Sequence, residues 1–516
     1  MAKFMTAREA VDLIKDGDTL ATNGFLLAAF PEMLAQALEK RFLETGKPNG
    51  LTLVYCAGQG DRKDRAINRL GHEKLIRRVI GGHWNLVPKL GKLASEEKIE
   101  AYNLPQGVIS HLFRDIAAGK IGTITHVGLK TFVDPRLDGG KINKTAKEDI
   151  VELVNIGGKE LLLYKAFPIN VCFLRGTAAD EKGNISMHHE GVVGDATSVA
   201  QATKNSGGTV IVQVGHKVKA GSLDPRLVKI PGIYVDAIVV VHPREHMDEV
   251  DAAQAAAHCG EIRMPTDAVP SLPFDERKII GRRAAMELKP GTIVNLGIGM
   301  PEAVAAVANE EGIGDYMTLT VEAGPVGGIP VGGVGFGLSV NPEAILEQNY
   351  QFDFYDGGGI DLAYLGLAEC DAVGNINVSK LGSLITGAGG FINITQNAKR
   401  LFFCGTFTAK GLEISAGNGK LKINKEGTAK KFLNRVGHVT FSGEYAVEVN
   451  QPVLYITERA VFELRRDGLH LIEIAPGIDL HKDVLAHMEF TPKMDQPPKL
   501  MDENIFKEER MNLDKR

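Results

Sequence analysis

The pattern of apolar and polar positions repeats itself between the two halves of the chain. Near the start, an amphipathic segment from Ala7 to Ile14 is followed by a Lys15-Asp16-Gly17 turn, an apolar run from Thr19 to Thr22, a glycine-bearing loop and Pro31-Glu32. That order predicts helix, turn, strand, loop and helix. Around residue 280 the same order returns: a helical run carrying Ala284 to Leu288, then Lys289-Pro290-Gly291, a strand from Thr292 to Leu296, the loop Gly297-Ile298-Gly299, and Pro301-Glu302. The match continues, with Leu51-Thr52-Leu53-Val54-Tyr55-Cys56-Ala57-Gly58 answered by Met317-Thr318-Leu319-Thr320-Val321-Glu322-Ala323-Gly324. Cys56 in one half stands where Glu322 stands in the other.

A repeat of this length is no solenoid. It implies two related α/β domains, each an open, mainly parallel sheet with helices on both faces. From Met247 to Phe274 the chain is rich in Ala, Asp, Glu and Pro and has no sustained apolar period, which suits a surface linker. The boundary is therefore expected near residue 272, with an N-terminal domain over 1–272 and a C-terminal domain over 273–516. Ligands bind such sheets at the carboxyl ends of strands, which is where the glycine-rich loops of this sequence fall.

Composition narrows the picture in five ways. The 516 residues are too many for one ordinary core, and 44% hydrophobic with 24% charged residues describes a compact globular chain. Glycine is in excess, 59 residues or about 11% against a usual 7% or so, as tight turns and close backbone approach to a ligand require. A net charge of -5 supplies no basic field for nucleic acid or an anionic membrane. The N-terminal sequence lacks a hydrophobic signal core, and the most apolar stretch, Ile233 to Val241, is broken by Asp236 and too short for a span. A cytoplasmic enzyme-sized protein with no membrane or nucleic-acid partner is expected, and a homo-oligomer. Five scattered cysteines (Cys56, Cys172, Cys259, Cys370, Cys404), odd in number and without a CxxC pair, argue against a disulfide framework and a structural zinc site. Buried thiols are the simpler expectation.

Chemistry concentrates around one carboxylate. The strand ending Thr320-Val321-Glu322 runs straight into Ala323-Gly324-Pro325-Val326-Gly327-Gly328, placing a glutamate at a strand's carboxyl end with no bulky residue after it. Further glycine loops follow at Gly332 to Gly337, Gly357-Gly358-Gly359 and Gly387-Ala388-Gly389-Gly390-Phe391. Such loops supply backbone N–H groups, the usual parts of an oxyanion hole, although each alone marks an ordinary turn.

Five segments carry a resemblance over essentially the whole chain. They are Asp16-Gly17 with Asn23-Gly24-Phe25 and Pro31-Glu32; Tyr102-Asn103-Leu104-Pro105-Gln106-Gly107; Thr320-Val321-Glu322-Ala323-Gly324; Gln351-Phe352-Asp353-Phe354-Tyr355-Asp356-Gly357-Gly358-Gly359; and Gly387-Ala388-Gly389-Gly390-Phe391. The chain resembles the class I CoA-transferases, and within them the single-chain acetate/propionate group. It departs from the common signature at Asn23 and Ala29, where glycines are usual. The resemblance implies that Glu322 forms an enzyme-CoA thioester and that Ile298 and Gly389 or Gly390 lie where oxyanion N–H donors are found. It also implies a polar contact at Asn375 or Asn377, with Gln106 approaching from the first domain and Gly107 and Phe25 beside the substrate. Acyl-CoA and a free short-chain carboxylate would be the substrates, coenzyme A itself being a substrate and no cofactor being needed.

The residue types support that reaction on their own terms. An ionised carboxylate attacks the thioester carbonyl, backbone N–H groups hold the charge that develops, and the CoA thiolate leaves a mixed anhydride. The thiolate then takes the glutamyl carbonyl, and the acceptor acid reverses the steps, so the kinetics are ping-pong. Nucleophile and leaving group are both anions, so neither a general base nor a metal is required.

Simpler readings account for the remaining motifs. His242-Pro243-Arg244-Glu245-His246 matches a zinc-peptidase pattern but has proline within the required helix. His188-His189-Glu190 reads as a turn and solvated segment, and Gly333-x-Gly335-x-Gly337 lacks dinucleotide spacing. Trp84 reads as core, while Lys278, Arg282 and Arg283 suit either CoA phosphates or a solvated helix face. An isolated strand-end glutamate would ordinarily pair with a cation. Two other functions use the same scaffold: an acyl-CoA hydrolase, if water reached the thioester, and a reversible acyl-CoA or sugar-phosphate sensor.

Overall fold

The computed structural model describes residues 2–242, 252–265 and 271–515. Of the His242 to His246 motif only His242 falls among them. The chain divides into two compact units: Met1–Met264 with Val321–Asp353 and Gly382–Asn393, and Pro265–Thr320 with Phe354–Leu381 and Ile394–Arg516. Two segments from the second half of the sequence, one of them carrying Glu322, thus pack within the first unit.

The first unit is built on a sheet in which eight strands run parallel, starting in spatial order at Lys3, Ala237, Thr209, Val171, Thr19, Leu51, Ile76 and Glu100. The strand Val171–Asp180 is buried at every position, as expected at the centre of a parallel sheet. The second unit has a sheet that runs Met317–Thr320, Thr292–Leu296, Leu362–Gly366, Arg400–Cys404 and Val453–Ile456, all parallel. Antiparallel strands Ala460–Arg465 and Gly468–Ile474 then extend it. Both units are α/β, as the alternation of elements predicts.

The repeat is exact at the level of hydrogen bonds. In the first unit Thr19 sits opposite Thr52, Leu20 opposite Leu53 and Ala21 opposite Val54. In the second, Ile293 sits opposite Thr318, Val294 opposite Leu319 and Asn295 opposite Thr320. The turn before each first strand places a glycine at positive φ, Gly17 at 80° and Gly291 at 76°, where a side chain would be strained. The Thr19 N–H donates to Asn170 Oδ1 at 2.8 Å, and the Ile293 N–H donates to Asp361 Oδ2 at 2.9 Å. In return the Asn170 and Asp361 N–H groups donate to the Thr19 and Ile293 carbonyls, each at 3.0 Å.

Local signals set most element ends. Ala7–Val11 is a helix closed by a capping box between Thr6 and Glu9, shorter than the amphipathic run to Ile14. Glu32–Thr45 and Glu302–Glu310 are the helices that follow the two Pro-Glu pairs. The helix expected to carry Ala284 to Leu288 is Glu276–Ala285, capped by Asp275. The stretch read as a linker includes a short helix, Ala252–His258. Among the described residues no helix is long and apolar enough to cross a membrane.

Three basic residues correct their reading. Lys278, Arg282 and Arg283 are buried within the second unit. Lys278 pairs with Glu310 at 2.6 Å, Arg283 with Glu473 at 2.8 Å, and Arg282 donates to the Ile505 and Glu509 carbonyls. They hold the fold together and present neither a solvated face nor a phosphate site.

Candidate active site

In the first unit the chain turns immediately after Val321. The Val321 N–H donates to Pro325 O and the Gly324 N–H to Val321 O, both at 3.0 Å, so Glu322 and Ala323 occupy the corner of a tight turn. Gly324 has φ 124°, and a Cβ there would lie 2.1 Å from the Leu346 carbonyl oxygen. Only glycine fits. Val321 and Ala323 are buried in the core that also holds Phe25, Trp84, Phe336, Leu338 and Ile385. The side chain between them is therefore fixed at its base and half-buried.

The Glu322 carboxyl has no ion-pair partner among the described residues, which removes the simple reading of a strand-end glutamate on a cation. Desolvation pushes it up to about 7, opposed only by its own backbone N–H. A carboxyl so placed is substantially ionised at neutral pH, yet poorly solvated, which makes it a better nucleophile than a carboxylate in water.

The loop Gly387 to Gly390 is bound into the same unit. Trp84 and Asn85 N–H groups donate to Thr386 O at 2.8 and 3.0 Å, and Ala388 N–H donates to Asn103 Oδ1 at 2.9 Å. The Gly389 N–H donates to Gly82 O at 2.7 Å and the Gly389 carbonyl accepts from the Gln106 N–H at 2.9 Å. Gly389 is thus committed to the fold and is corrected as an oxyanion donor. The Gly390 N–H has no acceptor among the described residues.

Gln106 is 2% exposed and belongs to a buried relay that the sequence did not reveal. Its Nε2 donates to Gln348 Oε1 at 3.2 Å, and Gln348 Nε2 donates to Asp195 Oδ2 at 2.8 Å. Ser110 Oγ also donates to Asp195, whose carboxyl burial pushes up to about 6. His83 lies against Gly389, with Nδ1 buried and unpartnered, and burial pushes its imidazole down to about 4. Gly107 is glycine because a Cβ would meet the Phe352 ring at 2.4 Å, and its N–H donates to Asn393 Oδ1 at 3.1 Å.

The two departures from the signature have structural counterparts. Asn23 Oδ1 accepts from the Asp195 N–H at 2.8 Å while its Nδ2 donates to Val193 O at 3.0 Å, so it anchors the relay. Ala29 sits at φ 55°, the left-handed region where glycine is unstrained. Phe25 closes a tight loop with Ala28 and packs on Phe336 with ring centroids 5.9 Å apart.

Ile298, Asn375 and Asn377 belong to the second unit. Ile298 is 47% exposed between Gly297 and Gly299, and its N–H has no acceptor among the described residues. Asn375 donates to Asp371 and accepts from the Gly443 N–H at 2.9 Å. Asn377 donates to Glu369 at 2.7 Å and to Lys380 O at 2.8 Å, while its Oδ1 accepts from Ser379 and Lys380. The amides of both asparagines are thus engaged in structural hydrogen bonds within the second unit. Trp84 is core, as expected, its Nε1 donating to Gly81 O at 3.2 Å.

Two parallel-sheet units with an unpaired carboxylate at a strand end are compatible with acyl-transfer chemistry, and comparison with known proteins gives the class. A sequence model described as "Coenzyme A transferase" matches residues 4–241. The chain is 48% identical to the caffeate CoA-transferase of Acetobacterium woodii, covering 100% of this chain and 99% of the relative. It is 44% identical to the acetate CoA-transferase YdiF of Escherichia coli O157:H7, covering 97% and 94%. The crystal structure of apo YdiF superposes with a TM-score of 0.93 at 42% identity over 99% of this chain and 97% of that one, and YdiF is also known as a thioester complex with CoA, with a TM-score of 0.92. The chain belongs to the coenzyme A transferase family. It is a CoA-transferase.

Proposed function

We propose that the enzyme transfers coenzyme A from a short-chain acyl-CoA to a free short-chain carboxylate, of the acetate and propionate class, through a glutamyl-CoA thioester on Glu322. The observation that carries the reading is the unpaired, half-buried Glu322 carboxyl on a rigid turn, with its pKa pushed up by desolvation to about 7. The thioester complex of YdiF with CoA and that relative's name, acetate CoA-transferase, support it.

In the first half-reaction a Glu322 oxygen attacks the acyl carbonyl and expels CoA thiolate, leaving a mixed anhydride. The thiolate attacks the glutamyl carbonyl, releases the first acid and leaves CoA on Glu322. Free backbone amides are suited to hold the oxyanions, and the Gly390 amide belongs to the same unit as Glu322. Most of the rate comes from orientation and from binding along the CoA tail, for which ideal positioning is worth about 7 to 11 kcal/mol. Transfer needs no metal and no resident cofactor. We place the protein in the cytoplasm as a homo-oligomer acting on these two substrates, with the sequence halves 1–272 and 273–516 as its evolutionary domains.

The test is to mix pure protein with acetyl-CoA, trap with hydroxylamine or borohydride, and locate modified peptides by mass spectrometry, with Glu322→Ala in parallel. Modification confined to Glu322 and absent from the variant is expected. An active enzyme with Glu322 unmodified overturns the thioester. A run of acceptors from acetate to caffeate sets the substrate class, and CoA release without any acceptor would identify a hydrolase.

A further inference from the structure

Outside the carboxylate site, two segments far apart in sequence bring a soft and two harder ligands to one point in the first unit. His189 Nδ1 lies 2.7 Å from Glu261 Oε1 and 3.7 Å from Cys259 Sγ, and the three ligand atoms all lie within 4.8 Å of one another. The His189 and Glu261 side chains are 36% and 41% exposed. Cys259 is half-buried, unlike the other four cysteines, which are buried. This corrects the expectation of five buried thiols.

The geometry points to a transition-metal site of the zinc class, with His189 Nδ1, Cys259 Sγ and a Glu261 oxygen as protein ligands and an outward fourth position open to water. In a tetrahedral zinc centre, bond lengths of about 2.3 Å to sulfur and 2.0 to 2.1 Å to nitrogen and oxygen put N···S near 3.5 Å and N···O near 3.3 Å. The observed 3.7 and 2.7 Å bracket those edges, so small rotations of exposed side chains close the set. A thiolate excludes magnesium and calcium, which take oxygen ligands, and favours zinc and its neighbours.

The ligands are placed by the fold and not by each other. The His189 N–H donates to Thr177 Oγ1 at 3.0 Å on the strand Val171–Asp180. Cys259 and Glu261 follow the helix Ala252–His258, their N–H groups donating to Ala255 O at 3.2 Å and Ala256 O at 2.9 Å. The two segments also pack closely, since a Cβ on Gly191 would lie 3.4 Å from the His258 carbonyl oxygen. A simple His189–Glu261 ion pair accounts for two of these groups; the Cys259 thiol donates to Ala256 O at 3.5 Å, and that bond holds its sulfur beside the same nitrogen, at 3.7 Å. On binding, the thiol proton passes to solvent and the metal cross-links the segment after the helix to the one that carries His189, which stabilises the folded state.

The test uses the full chain, stripped with a chelator and titrated with cobalt(II) and then zinc(II). We expect one cobalt per chain, a near-ultraviolet thiolate-to-cobalt band that Cys259→Ser abolishes, and affinity weakened at least about tenfold by His189→Ala. In the unsubstituted protein, one equivalent of zinc should slow carboxymethylation of Cys259 by a similar factor. No binding, a cobalt spectrum unchanged in Cys259→Ser, or alkylation of Cys259 indifferent to zinc would each overturn the site. Both readouts are independent of CoA transfer and of the reading of Glu322.

Discussion

Cys56 and Glu322 hold equivalent places at the ends of equivalent strands, and the fold treats them in opposite ways. Cys56 is buried, and its thiol, pushed well up by burial, lies within hydrogen-bonding reach of Asp195 and Gln348. Glu322 is half-buried and, among the described residues, has only its own N–H for company. One copy of the strand end has been absorbed into a polar relay; the other has been left unpaired, at a cost in solvation. Under the proposed function, that cost in solvation is kept in one half only because the carboxylate there is needed for chemistry.

The strongest way to break this comparison is at Glu322. Glu322→Ala and Glu322→Gln should lower acyl-CoA:carboxylate transfer by at least about 10⁴-fold, in the range seen when a covalent nucleophile is removed. Folding, followed by circular dichroism, should be unimpaired. A rate within tenfold of the parent enzyme would end the argument that this strand end is the reactive one.

The converse change should fail to create a second reactive half. Cys56→Glu puts a carboxylate beside Asp195 in a site with no cation, and should destabilise by about 4 kcal/mol, as for an uncompensated buried charge. Chemical denaturation measures it. A variant that folded normally and accepted CoA at position 56 would show that the residue at the strand end, and not the relay around it, distinguishes the two halves.

The pH dependence sharpens the comparison further. Glu322 must be ionised to attack, so kcat/KM should fall below pH 7 and be lower by about a hundredfold at pH 5, with Glu322's raised pKa as the midpoint. Stability runs the other way. A carboxyl raised from 4.5 to about 7 binds more protons folded than unfolded. Its contribution is fully present below the unfolded value and is lost as pH rises through 7. Glu322→Gln should therefore flatten the decline in melting temperature between pH 5 and 7. An acid limb that persisted unchanged in a partly active variant, or was missing from the parent enzyme, would assign the titration to another group.

Much of this was legible in the sequence, because it is written in local pattern. The duplicated helix-turn-strand order, the glycines at 17 and 291, and the carboxylate before a run of glycines all appear as residue types at fixed spacing, and the matched registers bear the repeat out. What could not be read are pairings across long stretches of chain. Nothing near Gly389 announces that Gly82 takes its N–H, and nothing near Arg282 announces the carbonyls beyond residue 504 that bury it. Asp195 and Gln348 meet 153 residues apart, and Cys259 meets His189 across 70. Spacing carries no signal at such distances. A polar residue at a strand end has the same sequence signature whether it faces a substrate or, like Asn377, closes its own turn.

The smallest expected effect comes from the glycines one turn beyond the paired residues, Gly58 and Gly324. Gly58 has no left-handed backbone requirement, and a Cβ would meet side-chain atoms, His83 Nδ1 at 2.7 Å and Leu86 Cδ1 at 2.8 Å, and no backbone atom as near. At Gly324 the φ of 124° and the backbone oxygen of Leu346 at 2.1 Å leave no such freedom, because the Leu346 N–H is itself bonded to Gly324 O at 3.0 Å. Gly58→Ala should cost about 1 kcal/mol, as modest overpacking does, whereas Gly324→Ala should cost about 3 kcal/mol through backbone strain and displacement of the turn. Only the second should also reduce transfer, since only it moves Glu322. Urea midpoints measured side by side with kcat decide the point. Equal losses in both variants would mean that the tight turn under Glu322 is no more constrained than its counterpart under Cys56.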